Sequence, residues 1–324
     1  MGCPIMDSTL HYYRAWGGSL GGSWRAVLAI AEQSLRLILR RRLFWVLYVL
    51  ALLNFVVFFS GIYLLYQLDV EQLLEGAPTS ARIGFIRIRD LEQFLNFLRK
   101  QLYLAGTAET YRNFFWYQGY ITMALLAFTG AQLIGQDYSA GALPFFLSKP
   151  IRSWHYVLGK FLAVCVIVNA MTTLPALALF VECGLLIGWD YFAEEIRLAA
   201  GSIAYGMVLT ASLGSLVLAV AARVKRTVPL VLVWAVILIL MRGLASTLVD
   251  GLRYDVRWRL LDLWNSTYVI GSAALGAAAK LETSRRWLSR PQPELWEVAC
   301  VLGALVVLAW VDLLRRVRPY QTVG

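Results

Sequence analysis

Residues 43–66 read LFWVLYVLALLNFVVFFSGIYLLY, 24 consecutive positions without a charge. The hydrocarbon core of a bilayer takes about 20 helical residues, so this stretch alone is long enough to cross one. It shows no polar–apolar alternation of period two, which excludes a strand of a membrane β-barrel. Outward from it, the pattern repeats. Asn113–Gln136 is uncharged over 24 positions and Leu198–Ala222 over 25. The whole chain of 324 residues is 59% hydrophobic and only 15% charged, with a mean hydropathy of +0.63. Soluble domains are about 25% charged. The apolar content also excludes intrinsic disorder. The fold class expected is therefore an all-α polytopic membrane protein.

Six spans are expected, at 43–66, 114–135, 158–187, 201–222, 228–249 and 296–314. The last has a charge-free centre of only 14 residues, Val298–Val311, so Glu297 and Asp312 must sit at its ends. Pro175 predicts a kink in the third, which a helix bundle tolerates. With the N-terminus in the cytoplasm, the inner segments hold 15 Lys/Arg against four acids, and the outer segments 14 against 15. Arg40-Arg41-Arg42, Arg223/Lys225/Arg226 and Arg315/Arg316/Arg318 abut span ends, where the positive-inside rule acts. Both termini are thus expected in the cytoplasm. The basic balance points to anionic lipid headgroups, with no nucleic acid partner.

The expected organisation is a cytoplasmic segment 1–42, a six-span unit 43–314 and a cytoplasmic tail 315–324. Within 1–42, Ser23–Arg42 reads as an amphipathic interfacial helix. Trp24, Val27, Leu28, Ala31, Leu35 and Ile38 share one face; Arg25, Glu32, Gln33, Arg36 and Arg40 share the other. It is either a basic anchor for the first span or a connecting helix that passes force from a cytoplasmic partner. Two outer segments, 67–113 and 250–295, are long enough to carry structure. In the first, Asp90 is expected to cap a helix with Leu91, Phe94, Leu95, Leu98 and Leu102 on one face, and Gly84–Arg89 a short strand. In the second, Val269–Ala279 is too short to span and reads as a re-entrant or surface helix.

Several chemistries are excluded. Cys3, Cys165, Cys183 and Cys300 have no CxxC spacing, and His11 and His155 fall outside the expected spans, so neither a disulfide framework, a bis-histidine haem nor a zinc protease motif can be written. The cysteines and methionines are too dispersed for a copper site. No metal or cofactor is expected on this chain. Gly159-Lys160 is followed by Phe161 where a phosphate-binding loop needs Ser or Thr. Met6 stands where a myristoylation pattern wants Ser or Thr, and no early apolar core of a cleavable signal appears. The chain is not expected to be an enzyme. Glu182 and Arg242 are the only well-embedded charges, at similar depth near the outer side; they are read either as a pair lining or closing the outer vestibule or as two independently snorkelling side chains. Small residues at four-residue spacing in the fourth span (Ser202, Gly206, Thr210, Gly214 and Ala211, Ser215, Ala219) permit close helix approach, within the bundle or at a dimer seam.

The loop between the second and third spans, Gln136–Lys160, reads QDYSAGALPFFLSKPIRSWHYVLGK. Two short apolar runs are flanked by turn-formers, and Pro150 breaks any helix near Lys149. A short helix there presents Leu143, Phe146 and Leu147 either to lipid or to a partner's groove. The succession Asp137, Gly141-Ala142-Leu143, Leu147-Ser148-Lys149-Pro150-Ile151-Arg152 and Tyr156-Val157-Leu158-Gly159-Lys160 resembles the corresponding loop of type-2 ABC transporter permeases. The likeness is to the branch that includes the permease for nitrous-oxide reductase copper-site maturation. Ala142 replaces the usual Ser or Thr, and Arg152-Ser153 inverts the usual Ser-Arg order. The strong match spans about 25 residues; the six-span plan agrees over most of the chain.

This resemblance implies a permease, an exporter, in a prokaryotic inner membrane. It implies a homodimer or pseudo-dimer bound to two separate ATPase subunits, which carry the ATP and Mg. Asp137, Gly141, Leu143, Phe146, Leu147, Ser148, Lys149, Pro150, Ile151 and Arg152 become the ATPase interface, and Arg25, Glu32, Arg36 and Arg40 mark the connecting helix. Lys149 and Arg152 would pair with acids on the ATPase. An alternative is a permease-like anchor that transmits motion to an extracytoplasmic protein partner without transport. A secondary carrier is disfavoured by the lack of a chain of intramembrane acids.

Overall fold

The computed structural model describes residues 23–67, 82–83, 86–87, 102–135, 137, 152–224, 226–277 and 291–317. The chain begins with helix α1 (Ser23–Leu39) and, after a two-residue break, α2 (Arg42–Gln67). The break is closed by Trp45, whose indole N–H donates to Leu39 O at 2.9 Å, satisfying one of the carbonyls a helix end leaves open. A two-residue antiparallel hairpin follows, β1 (Arg82–Ile83) on β2 (Ile86–Arg87). Then come α3 (Ala108–Gly130), prolonged by a π turn at Ala131–Gly135; α4 (Ser153–Met171); α5 (Thr173–Ile187); and the short α6 (Asp190–Glu194). Helix α7 (Ile196–Leu209) passes through a π turn into α8 (Ser215–Arg223). Helix α9 (Thr227–Ala235) passes through another, Val236–Leu240, into α10 (Met241–Ser246). A 3-10 turn (Val256–Leu261), α11 (Leu263–Leu275) and α12 (Leu295–Arg316) complete it.

Five helical stretches are long and apolar enough to cross a membrane: Arg42–Tyr66, Ser153–Ile187, Ile196–Arg223, Thr227–Gly251 and Leu295–Arg316. They coincide with five of the expected spans. The remaining one, 114–135, is helical as α3 and its π turn, but Gln118, Thr122 and Gln132 leave it less apolar than the five. It is also the helix around which the others gather: α2, α4, α7, α8, α9 and α11 all pack on it. The third span starts earlier than expected, at Ser153, and so takes in His155.

The kink expected at Pro175 is a break at Thr172, between α4 and α5. Proline has no N–H to donate to the carbonyl four residues back, Met171 O. Gln118 of α3 supplies the missing donor from outside the helix, its amide Nε2 lying 2.6 Å from Met171 O. Asn54 of α2 in turn donates to Gln118 Oε1 at 2.8 Å. One proline thereby ties three elements together, as an apolar interior requires of every freed backbone group.

Close approach decides the rest of the packing. A Cβ at Gly206 of α7 would lie 1.9 Å from Thr173 Oγ1 and 2.5 Å from Asn169 Oδ1. At Gly119 of α3 it would lie 1.7 Å from the Trp264 ring of α11. Gly206, Thr210 and Gly214 therefore face α4 and α5, and Ser215 accepts from the Trp310 indole of α12 at 3.1 Å. The small-residue stripes of this span work inside the bundle. In the outer segments, the expected strand is the second arm of the β1–β2 hairpin. Of the helix expected after Asp90, only Leu102, which is buried, lies among the described residues. The expected apolar helix of the second segment is α11. It starts six residues before Val269 because Asp262 caps it, Oδ1 accepting from Asn265 N–H at 3.0 Å. It ends at Gly276, whose φ of 76° is the left-handed stop that glycine adopts without strain.

Candidate functional site

Most of the expected ATPase interface lies outside the described residues: Gly141, Leu143, Phe146, Leu147, Ser148, Lys149, Pro150 and Ile151. The two ends of the loop are described. Asp137 stands at its start. Its Oδ2 accepts from Tyr156 Oη at 2.6 Å and pairs with Lys160 Nζ at 2.7 Å. Tyr156 and Lys160 are one helical turn apart on α4, so both reach one carboxylate from the same face. The ammonium also lies 5.4 Å from the Tyr156 ring centre. Lys160 is only 3% exposed. A buried charge is retained only when it is paired and hydrogen-bonded, and here it is both. The motif that reads as Gly-Lys in the sequence is thus a clamp on the start of the loop. At the other end, Arg152 is exposed and precedes α4, its backbone N–H donating to His155 Nδ1 at 3.1 Å.

The connecting helix sits on the same turn of α4. A Cβ at Gly159 would come within 2.8 Å of Ile30 and 2.9 Å of Val27 O. Glycine at that position is what allows α1 to lie against α4. Trp24 meets Trp154 edge-on at 6.1 Å between ring centres. The buried face of α1 is Val27, Ile30, Ala31, Ser34 and Ile38. It is rotated from the face expected, because α1 packs on a helix and not only on an apolar surface. Trp24 and Leu28 are exposed, while Ile30 and Ser34 are buried. Arg25, Glu32, Arg36 and Arg40 are exposed, as the polar face requires, and Glu32 pairs with Arg36. The helix ends at Leu39, short of the expected Arg42.

Among the other charges, Asp312 is held by Arg223 (3.0 and 3.2 Å, a two-pronged contact) and by Arg316 at 3.1 Å. This joins the ends of α8 and α12. Glu297, at the other end of α12, pairs with Arg257 at 2.8 Å. Both acids sit at span ends, as the short apolar centre of α12 demanded.

The intramembrane pair is not made. Both carboxylate oxygens of Glu182 are buried without a hydrogen-bond partner among the described residues. Arg242 instead donates to Tyr120 Oη at 2.6 Å, and its guanidinium lies 5.4 Å and 5.7 Å from the Trp116 and Tyr120 ring centres. Similar depth along two helices says nothing about which faces they turn to each other. Here the face carrying Arg242 meets the aromatic side of α3. Trp116 and Tyr120 of α3 form an aromatic set with Trp264 and Tyr268 of α11, with ring centres 4.9–5.6 Å apart. The four-residue spacing of Trp116 and Tyr120 was the available signal. Asp262 feels the Arg242 charge, but its burial at the cap of α11 pushes its carboxyl above the usual range.

Beside Arg242 lies a cavity of about 560 Å³ between α3 and the α9–α10 helix. Its wall is apolar, including Met123, Ala127, Val231, Trp234 and Leu238, with Arg242 and Tyr120 toward one end. Trp234 fixes the wall by donating its indole N–H to Met123 O at 3.0 Å.

Residues 28–259 match the family described as ABC-2 family transporter protein. No curated protein matches the chain. The match runs from α1 through the loop clamp and the Arg242 cavity to the 3-10 turn, well over half of the 324 residues. The chain therefore belongs to the ABC-2 family transporter proteins and is a multi-pass membrane permease component of an ABC transporter.

Proposed function

We propose that this chain is the transmembrane subunit of an ATP-driven exporter powered by a separate ATPase that binds loop 136–160. The observation that carries the reading is the Asp137–Tyr156–Lys160 clamp. It ties the start of the loop to the same turn of α4 on which α1 rests. A force applied to the loop thereby reaches both α4 and the connecting helix as one unit. In this reading Leu143, Phe146 and Leu147 seat in a groove of the ATPase, and Lys149 and Arg152 meet its acids. ATP and Mg belong to that partner, since this chain has no phosphate-binding loop. Two copies of the chain pair with two ATPase subunits in a prokaryotic inner membrane. Helix α3 crosses as a sixth span, and both termini lie in the cytoplasm, as the arginines at the ends of α8 and α12 support. The exporter direction and the closer branch rest on the loop resemblance. Binding of ATP draws the ATPases together, and the bundle alternates between inward- and outward-open states.

The test is purification from native membranes in mild detergent. An ATPase subunit should co-elute at equal stoichiometry. Leu147→Asp with Arg152→Asp should remove it while leaving the chain folded. A folded oligomer that carries no ATPase under any condition would contradict the proposal.

A further inference from the structure

We propose that the cavity between α3 and α9–α10 binds an anionic amphiphile, its alkyl body along the apolar wall and its charged head on the Arg242 guanidinium. This deepens the permease reading and rests on it, since it names what that reading leaves open, the chemical class of the ligand. Four observations converge. The volume, about 560 Å³, lies in the range of small-molecule sites, roughly 300–1,000 Å³. The wall is apolar from Val231 upward, and Arg242 stands eleven residues further along the helix, about 16 Å at 1.5 Å per residue. The site thus separates an apolar region from a cationic one by the length of an alkyl chain. Arg242 has no carboxylate within salt-bridge distance among the described residues; its hydrogen-bond partner is the neutral Tyr120, and its other neighbours are ring faces.

The fourth observation concerns position. An intramembrane arginine costs at least about 2.5 kcal/mol and is retained where it serves a pathway or a ligand. Tyr120 and Trp116 hold the guanidinium in place without neutralising it, which leaves its charge available to an incoming anion. Asp262, the cap of α11, feels the Arg242 charge, and its Oδ1 accepts from the Asn265 N–H. The π turn Val236–Leu240 lies in the cavity wall, and such turns concentrate where helices are reshaped for function.

Two sources share this chemistry: a free single-chain amphiphile, and a bilayer phospholipid that inserts one chain. The probes are palmitate and its methyl ester, each carrying a diazirine in the chain, added to the full complex in phosphatidylcholine nanodiscs. Peptides around Ala127 and Leu238 should be labelled by the acid at about tenfold lower concentration than by the ester, the least that a charge-assisted contact supplies. Arg242→Gln should bring the acid down to the ester, and Arg242→Lys should retain most of the preference. Phosphatidylglycerol that competes with palmitate identifies the bilayer as the source; failure to compete identifies a free amphiphile, and both support the site. Equal labelling by acid and ester overturns the proposal, as does labelling unchanged in Arg242→Gln. The ATPase is quantified in every sample: if it remains bound while the preference is absent, the ligand class fails and the permease reading stands. If it never binds, the permease reading fails whatever enters the cavity.

Discussion

Two helices of similar apolarity occupy opposite situations. The α7–α8 span, with a mean hydropathy of 2.0 in its most apolar window, has 61% of that window buried; the Thr227–Gly251 span, at 2.4, has 17%. In water the more apolar helix would go inside. In a bilayer the lipid solvates Val, Leu and Ile as well as the protein does, so apolarity no longer sorts helices. What α7–α8 has is Gly201, Gly206 and Gly214, which admit neighbours, and Thr210 and Ser215, which accept hydrogen bonds from Asn169 and Trp310. What α9 and α10 have is a row of bulky exposed side chains such as Val228, Leu232 and Ile239. The extreme case is α3, the least apolar of the expected spans and the most enclosed.

If polar and small residues define the interior, disturbing them should cost far more than disturbing the apolar exterior. The largest effect is expected at the loop clamp. Lys160→Met strands Asp137, and one-sided loss of a buried pair costs about 3–5 kcal/mol. Unfolding in detergent should show it, with Lys160→Met/Asp137→Leu recovering part of the loss. Next comes Gly206→Ala on the inner helix, about 1–3 kcal/mol from overpacking against Thr173 and Asn169. The matched change outside, Gly243→Ala, meets nothing within 4 Å and should be neutral or stabilising by up to about 1 kcal/mol from helix propensity. Equal losses at the two glycines would erase the distinction.

Gln118→Leu should cost about 1–3 kcal/mol, because it raises the apolarity of α3 while leaving Met171 O without its donor. A more stable protein would mean that apolarity sorts the helices after all. The smallest expected effect is a coupling. Glu182→Gln and Arg242→Gln should add within about 0.5 kcal/mol in a double-mutant cycle, since no contact joins them. A larger coupling would restore the pair that their similar depth suggested.

These contrasts also mark how far the sequence could be read. Charge-free runs located the spans to within a few residues, because a bilayer imposes length on every helix that crosses it. Pro175 announced its break, since the missing N–H is a property of the residue itself. The rescue by Gln118 was not legible, because it depends on which face of α3 meets α4. The same ignorance of rotation misassigned Arg242, placed Trp24 and Leu28 on the buried face of α1, and hid the cavity. The Asp137–Lys160 contact was half legible: the family-like Gly-Lys pair marked the residues, but only the fold brings positions 137 and 160 together. Side chains whose roles depend on their own chain chemistry can be read in sequence; those whose roles depend on a neighbour's orientation cannot.

The central claim is that loop 136–160 docks on an ATPase while the α9–α10 face does not. Photocrosslinkers placed singly at Leu147 and at Ile239 in native membranes test it in one experiment. An ATP-binding-cassette subunit should be trapped from Leu147 and none from Ile239. Lipid alone at Leu147, or the ATPase at Ile239, would contradict it.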